Sequence, residues 1–273
     1  MTLAARAAAA AGEIIRQGQT KIRQVVQKDV GDLVSKIDID ADSAICEILK
    51  QDDNSLVIVS EELNPDTYNE ADDMWIVDPL DGTTAYLTGG DSKLSSVLIA
   101  KRVAGEVVLG VAYFPLVDEW FYAVRGQGAW KDGCRFELPS TTRTLGSCWV
   151  DMNQYGNAEF ETSFFSALRE GLRSKRGAQI VTSGLPSAGK ALRLASAGKG
   201  ISAIVHDNSA LSVKQGPWDI AAIQLIVEEA GGVFINPDGD RTQLFDAQPI
   251  IVAPSMDLAR QILSAGQVVS LTA

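Results

Sequence analysis

Apolar and polar positions follow a strand-like pattern in the first part of the chain. Short apolar runs at 56–60 and 74–77, each followed by polar residues, predict two buried strands. Runs rich in β-branched and aromatic residues at 93–102, 106–114 and 120–124 are separated by turn residues and predict an antiparallel meander. Together these runs predict a sheet that is antiparallel over most of its width.

Two helices are predicted ahead of these strands. The alanine-rich segment 3–17 favours helix by propensity, and charged residues interrupt it too often for a signal peptide. Residues 38–51 predict a second helix, with Ala41, Ile45 and Ile48 on one apolar face.

The second part of the chain alternates between helix and strand. Helical patterns lie at 158–173, 187–198, 217–230 and 255–265, and extended patterns lie at 178–182, 201–206, 232–235 and 249–253. Such alternation is typical of layered α/β structure. We therefore predict an α/β (α+β layered) fold, in one compact unit of two subdomains, 1–142 and 143–273.

Composition narrows the functions that this fold could serve. The 273 residues contain no apolar run near the roughly 20 residues that span a bilayer, so no membrane partner is expected. The formal charge of -11 argues against binding to a nucleic acid polymer. The single histidine, His206, excludes a site built from several histidines. Three widely spaced cysteines form neither a disulfide framework nor a CxxC site, which predicts a reducing, cytoplasmic location.

One glycine-rich segment has the spacing of a P-loop but lacks two of its features. Gly184 to Lys190 matches the glycine and lysine positions, whereas Ala191 stands where a serine or threonine would bind magnesium. Pro186 also removes one backbone amide from the loop. We interpret this segment as the loop at the start of a helix.

The first candidate for a metal or phosphate site is the segment Trp75-Ile-Val-Asp-Pro-Leu-Asp-Gly-Thr-Thr84. A buried strand ends at Asp78, Pro79 is expected to end the strand pairing, and Asp81 follows after a turn. Such a turn can direct both carboxylates and the carbonyl of Leu80 at one hard divalent cation. The amides that follow, at Gly82 and the next residue, can hold a phosphate oxygen. The alternative is a surface turn without a ligand.

Further carboxylates stand at the ends of other predicted elements. Glu61 and Glu62 follow the strand at 56–60, at a sheet edge where open α/β sheets carry their sites. The alternative is a solvated loop. Asp219 and Asp38 each begin a helix, so favourable interaction with the helix dipole and N-capping are their alternative roles.

Taken together, these motifs resemble the inositol monophosphatase superfamily of magnesium-dependent, lithium-sensitive phosphatases, from about Ala4 to Gly232. The resemblance rests on DLV (32–34) with Asp38, EE (61–62), WIVDPLDGTT (75–84), GVAYFP (110–115) with GQGAW (126–130), and WDIAA with EEAGG (218–232). It implies alternating αβαβα layers of the sugar-phosphatase type and a homodimer. It also implies a DPLDGT metal motif in the first subdomain and a WDIAA motif in the second.

The resemblance also implies a role for each matching residue. A first magnesium ion would be bound by Glu61, Asp78, the Leu80 carbonyl and Asp81, and a second by Asp78, Asp81 and Asp219. Glu62 would lie in the outer shell or bind a third, weaker ion. Thr83, paired with Asp38, would orient or deprotonate the attacking water, with Glu61 also in the catalytic set. Gly82, Thr83 and Thr84 would contact the phosphate.

The substrate is left open between two classes. Inositol monophosphatases usually have a glutamate seven residues before the second-site aspartate, and here that position is Ser212. Ser187 and Lys190 instead resemble a Ser-x-x-Lys element of 3′(2′),5′-bisphosphate nucleotidases, where it holds the second phosphate. Lys190 as a solvated helix residue is the alternative. We expect a small cyclitol, sugar or nucleotide phosphate as substrate; a non-catalytic metal- or ligand-binding protein is the hypothesis from a different class.

Overall fold

In a computed structural model of the chain, the structure describes residues 3–18, 25–27, 33–51, 56–66, 68–70, 72–88, 92–138, 145–154, 162–175, 178–182, 186–193, 202–207, 216–246 and 248–267. The helices are α1 Leu3–Gly18, α2 Lys36–Leu49, α3 Thr83–Thr88, α4 Ser163–Lys175, α5 Ser187–Arg193, α6 Pro217–Glu229 and α7 Met256–Gln267. The first strands are β1 Val25–Gln27, β2 Leu33–Ser35, β3 Val57–Ser60, β4 Met74–Asp81, β5 Ser96–Val103, β6 Glu106–Phe114 and β7 Glu119–Val124. The later strands are β8 Ala129–Lys131, β9 Cys134–Phe136, β10 Trp149–Gln154, β11 Gln179–Val181, β12 Ala203–Asp207, β13 Val233–Ile235 and β14 Ile250–Ala253.

The chain divides into two compact units. The first comprises Met1–Phe136, Leu185–Gly189 and Gly216–Glu229, and the second comprises Glu137–Gly184, Lys190–Gln215 and Ala230–Ala273. The domain boundary predicted after residue 142 falls outside the described ranges and stays a prediction.

A seven-stranded sheet forms the centre of the first unit. Its order is β3-β4-β5-β6-β7-β8-β9, with β3 parallel to β4 and every later pair antiparallel. The predicted meander is thus confirmed. Helices α1 and α2 cover one face, where Ile15 and Ile45 share a core with Trp75, Ile99 and Val111. Burying each isoleucine contributes about 1.5–3 kcal/mol.

Helix α6 lies against the other face of this sheet. It is apolar on nearly all sides and buries most of its length, as expected for a helix inside a protein. It approaches the sheet closely at Gly110, where a Cβ atom would lie 2.8 Å from the carbonyl oxygen of Ala222. At its last residue, the Glu229 carboxylate accepts hydrogen bonds of 2.7 Å from the amides of Gly126 and Gly128, in the turn between β7 and β8.

A five-stranded sheet forms the centre of the second unit. Its order is β11-β10-β12-β14-β13, with β10 parallel to both of its neighbours and β14 antiparallel to both of its own. Helices α4 and α7 supply Phe165 and Ile262 to a core with Val150, Val205 and Ile251. The predicted mixed α/β fold with layered sheets and helices is confirmed. In the described ranges, no helix is both long and apolar enough to span a membrane.

Candidate metal centre

The end of β4 brings Asp78 and Asp81 into the buried interior. All eight residues of β4 are buried, and the strand continues through Pro79 to Asp81. The expectation that Pro79 ends the strand is therefore wrong. Pairing with β5 is instead irregular between Asp78, which pairs with Leu98, and Asp81, which pairs with Ser96. Proline has no N–H to donate, and this irregularity places it where no paired N–H is needed.

Asp219 reaches the same place from the first turn of α6. Its Oδ2 atom accepts a 2.8 Å hydrogen bond from the Gly216 amide, a contact that caps the start of the helix. One carboxylate oxygen from each of Asp78, Asp81 and Asp219 lies within 4.8 Å of the others. Three carboxylate oxygens at such separations form a donor set suited to a hard divalent cation. The structure thus brings together residues separated by more than 130 positions in the sequence.

Charge repulsion identifies further carboxylates around this cluster. The pKa of Asp78 is raised well above its ordinary value, first by burial and then by the negative charges of Glu61, Asp81, Asp219 and Asp38. Both burial and like charges disfavour an ionised carboxyl group. Of the acidic residues that the sequence analysis assigned to the site, Glu61, Asp81, Asp219 and Asp38 therefore act on Asp78 electrostatically, and the place of Glu62 stays a prediction. This donor set consists only of oxygens, and a cation would relieve its repulsion, so the residues present fit magnesium.

Another buried carboxylate, outside the metal centre, holds the loop that carries Glu61 and Glu62. Asp42 is fully buried on α2, one helical turn after Asp38, and accepts hydrogen bonds from the Ser60 hydroxyl and, at 3.1 Å, from the Leu63 amide. These two donors flank the glutamate pair. The Cys46 thiol also donates to Asp42, and burial raises the pKa of this thiol to about 12. The network fixes both ends of the loop to α2.

The turn after Asp81 brings the backbone of Gly82 close to Pro186. Gly82 has φ +88°, and a Cβ atom there would overlap the ring of Pro186. The Thr83 hydroxyl, at the start of α3, donates a 3.0 Å hydrogen bond to the Leu80 carbonyl. Thr84 is exposed on the same short helix. The predicted pairing of Thr83 with Asp38 stays a prediction.

Two groups that the sequence did not single out hold Asp81. The Ser96 hydroxyl donates to Asp81 Oδ2 at 3.2 Å, and the Ala188 amide donates to the same oxygen at 3.0 Å. The neighbouring Ser95 hydroxyl donates to the Gly82 carbonyl at 3.4 Å. No sequence motif surrounds Ser95 and Ser96. Their position beside the site becomes clear only from the pairing of β5 with β4.

The predicted substrate residues have different outcomes. Ser187 is the first residue of α5, and Ser212 lies outside the described residues. Lys190 is 1% exposed, so its interpretation as a solvated helix residue is wrong. The roles assigned to all of these residues in substrate binding remain predictions.

A layered two-sheet α/β fold with an acidic centre of oxygen ligands is the architecture of a family of metal-dependent phosphatases. The chain belongs to the inositol monophosphatase family, whose sequence model matches residues 1–269.

Individual relatives carry two kinds of name. Inositol monophosphatase 2 of Solanum lycopersicum is 32% identical over 248 residues, covering 89% of each chain. Nus factor SuhB of Pasteurella multocida (strain Pm70) is 29% identical over 266 residues, covering 97% of this chain and 94% of the relative. The native crystal structure of extragenic suppressor protein suhB from Bartonella henselae has a TM-score of 0.77 and 28% identity, covering 97% of both chains.

Proposed function

We propose that the protein is a magnesium-dependent phosphomonoesterase that hydrolyses a small anionic cyclitol, sugar or nucleotide phosphate. The observation that carries this proposal is the cluster of Asp78, Asp81 and Asp219, with one oxygen from each within 4.8 Å of the others. Burial first, and then repulsion from neighbouring carboxylates with Glu61 foremost, raises the pKa of Asp78, and a bound cation would relieve that repulsion.

We assign the metal ligands according to the roles that the resemblance to the family implies. Glu61, Asp78, the Leu80 carbonyl and Asp81 would hold one ion, Asp78, Asp81 and Asp219 would hold a second, and Glu62 would lie in the outer shell or hold a third. Bound magnesium supplies Lewis acidity, which lowers the pKa of a coordinated water and neutralises charge on the phosphate and the leaving oxygen.

The chain's own groups orient the water and the phosphate. The Thr83 hydroxyl directs its hydrogen at the Leu80 carbonyl, so its oxygen lone pairs are left to accept a hydrogen bond from water. Thr83, paired with Asp38, is assigned to orient or deprotonate that water: as the Thr83 oxygen takes up the water's proton, its own hydrogen turns from the Leu80 carbonyl to the Asp38 carboxylate, with Glu61 as the neighbouring base. The amides of Gly82, Thr83 and Thr84 are assigned to the phosphate oxygens, where the lack of a side chain at Gly82 permits close approach.

The experiment is phosphate release with magnesium from inositol 1-phosphate, adenosine 3′,5′-bisphosphate, fructose 1,6-bisphosphate and histidinol phosphate, each with and without lithium. Preference for the bisphosphate nucleotide would assign Ser187 and Lys190 to a second phosphate. Preference for inositol 1-phosphate would show that Ser212 replaces the usual glutamate. No release from any of the four, with the fold intact, would contradict the proposal.

A second candidate is the role of a Nus factor, which the names of relatives at 29% and 30% identity favour. The net charge of -11 argues against direct contact with a nucleic acid backbone. Magnesium binding without phosphate release would favour this candidate, or another non-catalytic binding role.

We also propose a cytoplasmic homodimer. Cys46, Cys134 and Cys148 are free thiols, which suits a reducing compartment. Sedimentation velocity at micromolar concentration tests the dimer, and a single monomer boundary would contradict it.

A further inference from the structure

We propose that Ser96 is a positioning residue for the metal centre, whose hydroxyl holds one oxygen of Asp81 so that the other faces the cation. This inference rests on the proposed function, because it assigns a role to Ser96 only if Asp81 binds a metal ion. It concerns a side chain on β5 that belongs to none of the motifs in the sequence.

The placement of Ser96 follows from the pairing of β4 and β5. Asp81 pairs directly with Ser96 just after the irregular step in the register, so the two side chains are cross-strand neighbours. Ser96 is fully buried and Asp81 is 4% exposed. The 3.2 Å hydrogen bond between them therefore lies in a largely water-free environment, where a charge-assisted bond to a carboxylate is strong.

Two donors on one oxygen determine which oxygen is offered to a metal. Ser96 Oγ and the Ala188 amide both donate to Asp81 Oδ2, and these two bonds occupy its lone pairs. We therefore assign metal ligation by Asp81 to Oδ1. Outer-shell hydrogen bonds of this kind orient ligating carboxylates, and their loss typically weakens metal binding about 10- to 100-fold.

Mutation of Ser96 can also test what holds the Asp81 carboxylate in this orientation. Asp78 Oδ1 accepts from the Leu80 amide at 2.9 Å and Asp219 Oδ2 accepts from the Gly216 amide at 2.8 Å, and only a proline, which also constrains the backbone, would delete those donors. The Ser96 hydroxyl can be deleted by a change to alanine, which removes one of the two donors described on Oδ2 and keeps the Ala188 amide. With one donor lost, the Asp81 carboxylate can rotate away from its ligating orientation.

Ser95 provides a matched control. It is as fully buried as Ser96 and adjacent in sequence, but its hydroxyl donates to the Gly82 carbonyl rather than to a carboxylate. Ser95→Ala therefore removes a buried serine hydroxyl without removing a donor to Asp81.

The experiment is magnesium titration by isothermal calorimetry of the wild-type full chain, Ser96→Ala, Ser95→Ala and Asp81→Asn. We expect Ser96→Ala to weaken magnesium binding about 10- to 100-fold, and Ser95→Ala to bind as the wild type does. Ser96→Cys, with a weaker donor of similar shape, is expected to fall between Ser96→Ala and the wild type. Melting curves in EDTA confirm that each variant folds.

A second readout separates positioning from general damage. In phosphate release, Ser96→Ala should raise the magnesium concentration for half-maximal rate in step with its weaker binding, and saturating magnesium should restore most of kcat. Wild-type affinity in Ser96→Ala, alongside weak binding in Asp81→Asn, would overturn the role of Ser96 and leave the proposed function standing. Equal weakening in Ser95→Ala would also overturn it. Absence of magnesium binding by the wild type would overturn both proposals.

Discussion

Replacing Asp78 by asparagine should make the metal-free protein more stable, although the change lies in the centre of the site. Asp78 is fully buried among other carboxylates, and these surroundings raise its pKa. An acid whose pKa is higher in the folded state than in the unfolded state lowers folding stability as the pH rises from the unfolded pKa to the folded one. Asparagine removes that charge and keeps a side-chain oxygen that can accept the Leu80 amide.

The size of the effect follows from the separation of the charges. Two unit charges 4.8 Å apart, the largest separation among the ligand oxygens, repel by about 3.5 kcal/mol at an effective dielectric constant of about 20. Asp78 has two such neighbours in the cluster, and partial protonation relieves part of their repulsion. We expect a net gain of about 2–4 kcal/mol in metal-free unfolding free energy for Asp78→Asn, roughly 5–10 °C in melting temperature.

The assay is thermal and urea denaturation in EDTA between pH 5 and pH 8, repeated with saturating magnesium. The difference in unfolding free energy between Asp78→Asn and the wild type should grow with pH, and magnesium should stabilise the wild type more than the variant. Asp66→Asn, at an exposed position, is the control and should change little. An Asp78→Asn variant that is less stable than the wild type in EDTA at pH 8 would refute the reasoning.

Three further predictions concern the same unit. Asp81→Asn should nearly abolish phosphate release with the circular dichroism spectrum unchanged; near-normal turnover would contradict its role as a ligand. Gly82→Ala should lower the melting temperature more than Gly133→Ala, because both have positive φ but only Gly82 lies against Pro186; equal losses would show that the contact is unimportant. Asp42→Ala should cost about 3–5 kcal/mol in urea denaturation, because it leaves the buried Ser60 hydroxyl and Cys46 thiol without this acceptor and releases the Leu63 amide from α2; a cost below about 1 kcal/mol would contradict the network.

Local sequence patterns correctly predicted those helices and strands whose structure is determined mainly by their own residues. The strand predicted at 106–114 is β6 with the same bounds, and the predicted helix 3–17 is α1 with one residue more. The apolar, β-branched and aromatic residues of β6 and the strong helix formers of α1 agree with the burial that each element attains. The acidic ligands were predicted because their spacing and surroundings form recognisable motifs.

Features that depend on pairing between distant segments could not be predicted in this way. Pro79 was expected to end its strand, but the irregular register between Asp78 and Asp81 allows β4 to continue. Ser96 and Asp42 support ligands from other elements, and neither stands in a motif. Lys190 was open to interpretation as a solvated helix residue, and only its burial in the structure excludes that.

Helix α6 is anchored at the end opposite the acidic centre. Glu229 fastens its last turn to the amides of Gly126 and Gly128, while Asp219 stands at the opposite end, ten residues or about 15 Å away along the axis. A rigid helix held in this way cannot slide along its own axis or rotate about it without breaking both amide contacts. The position of a ligand in the acidic centre is therefore set in part by a surface turn between two strands, and this turn can transmit a disturbance to the site without touching any group there.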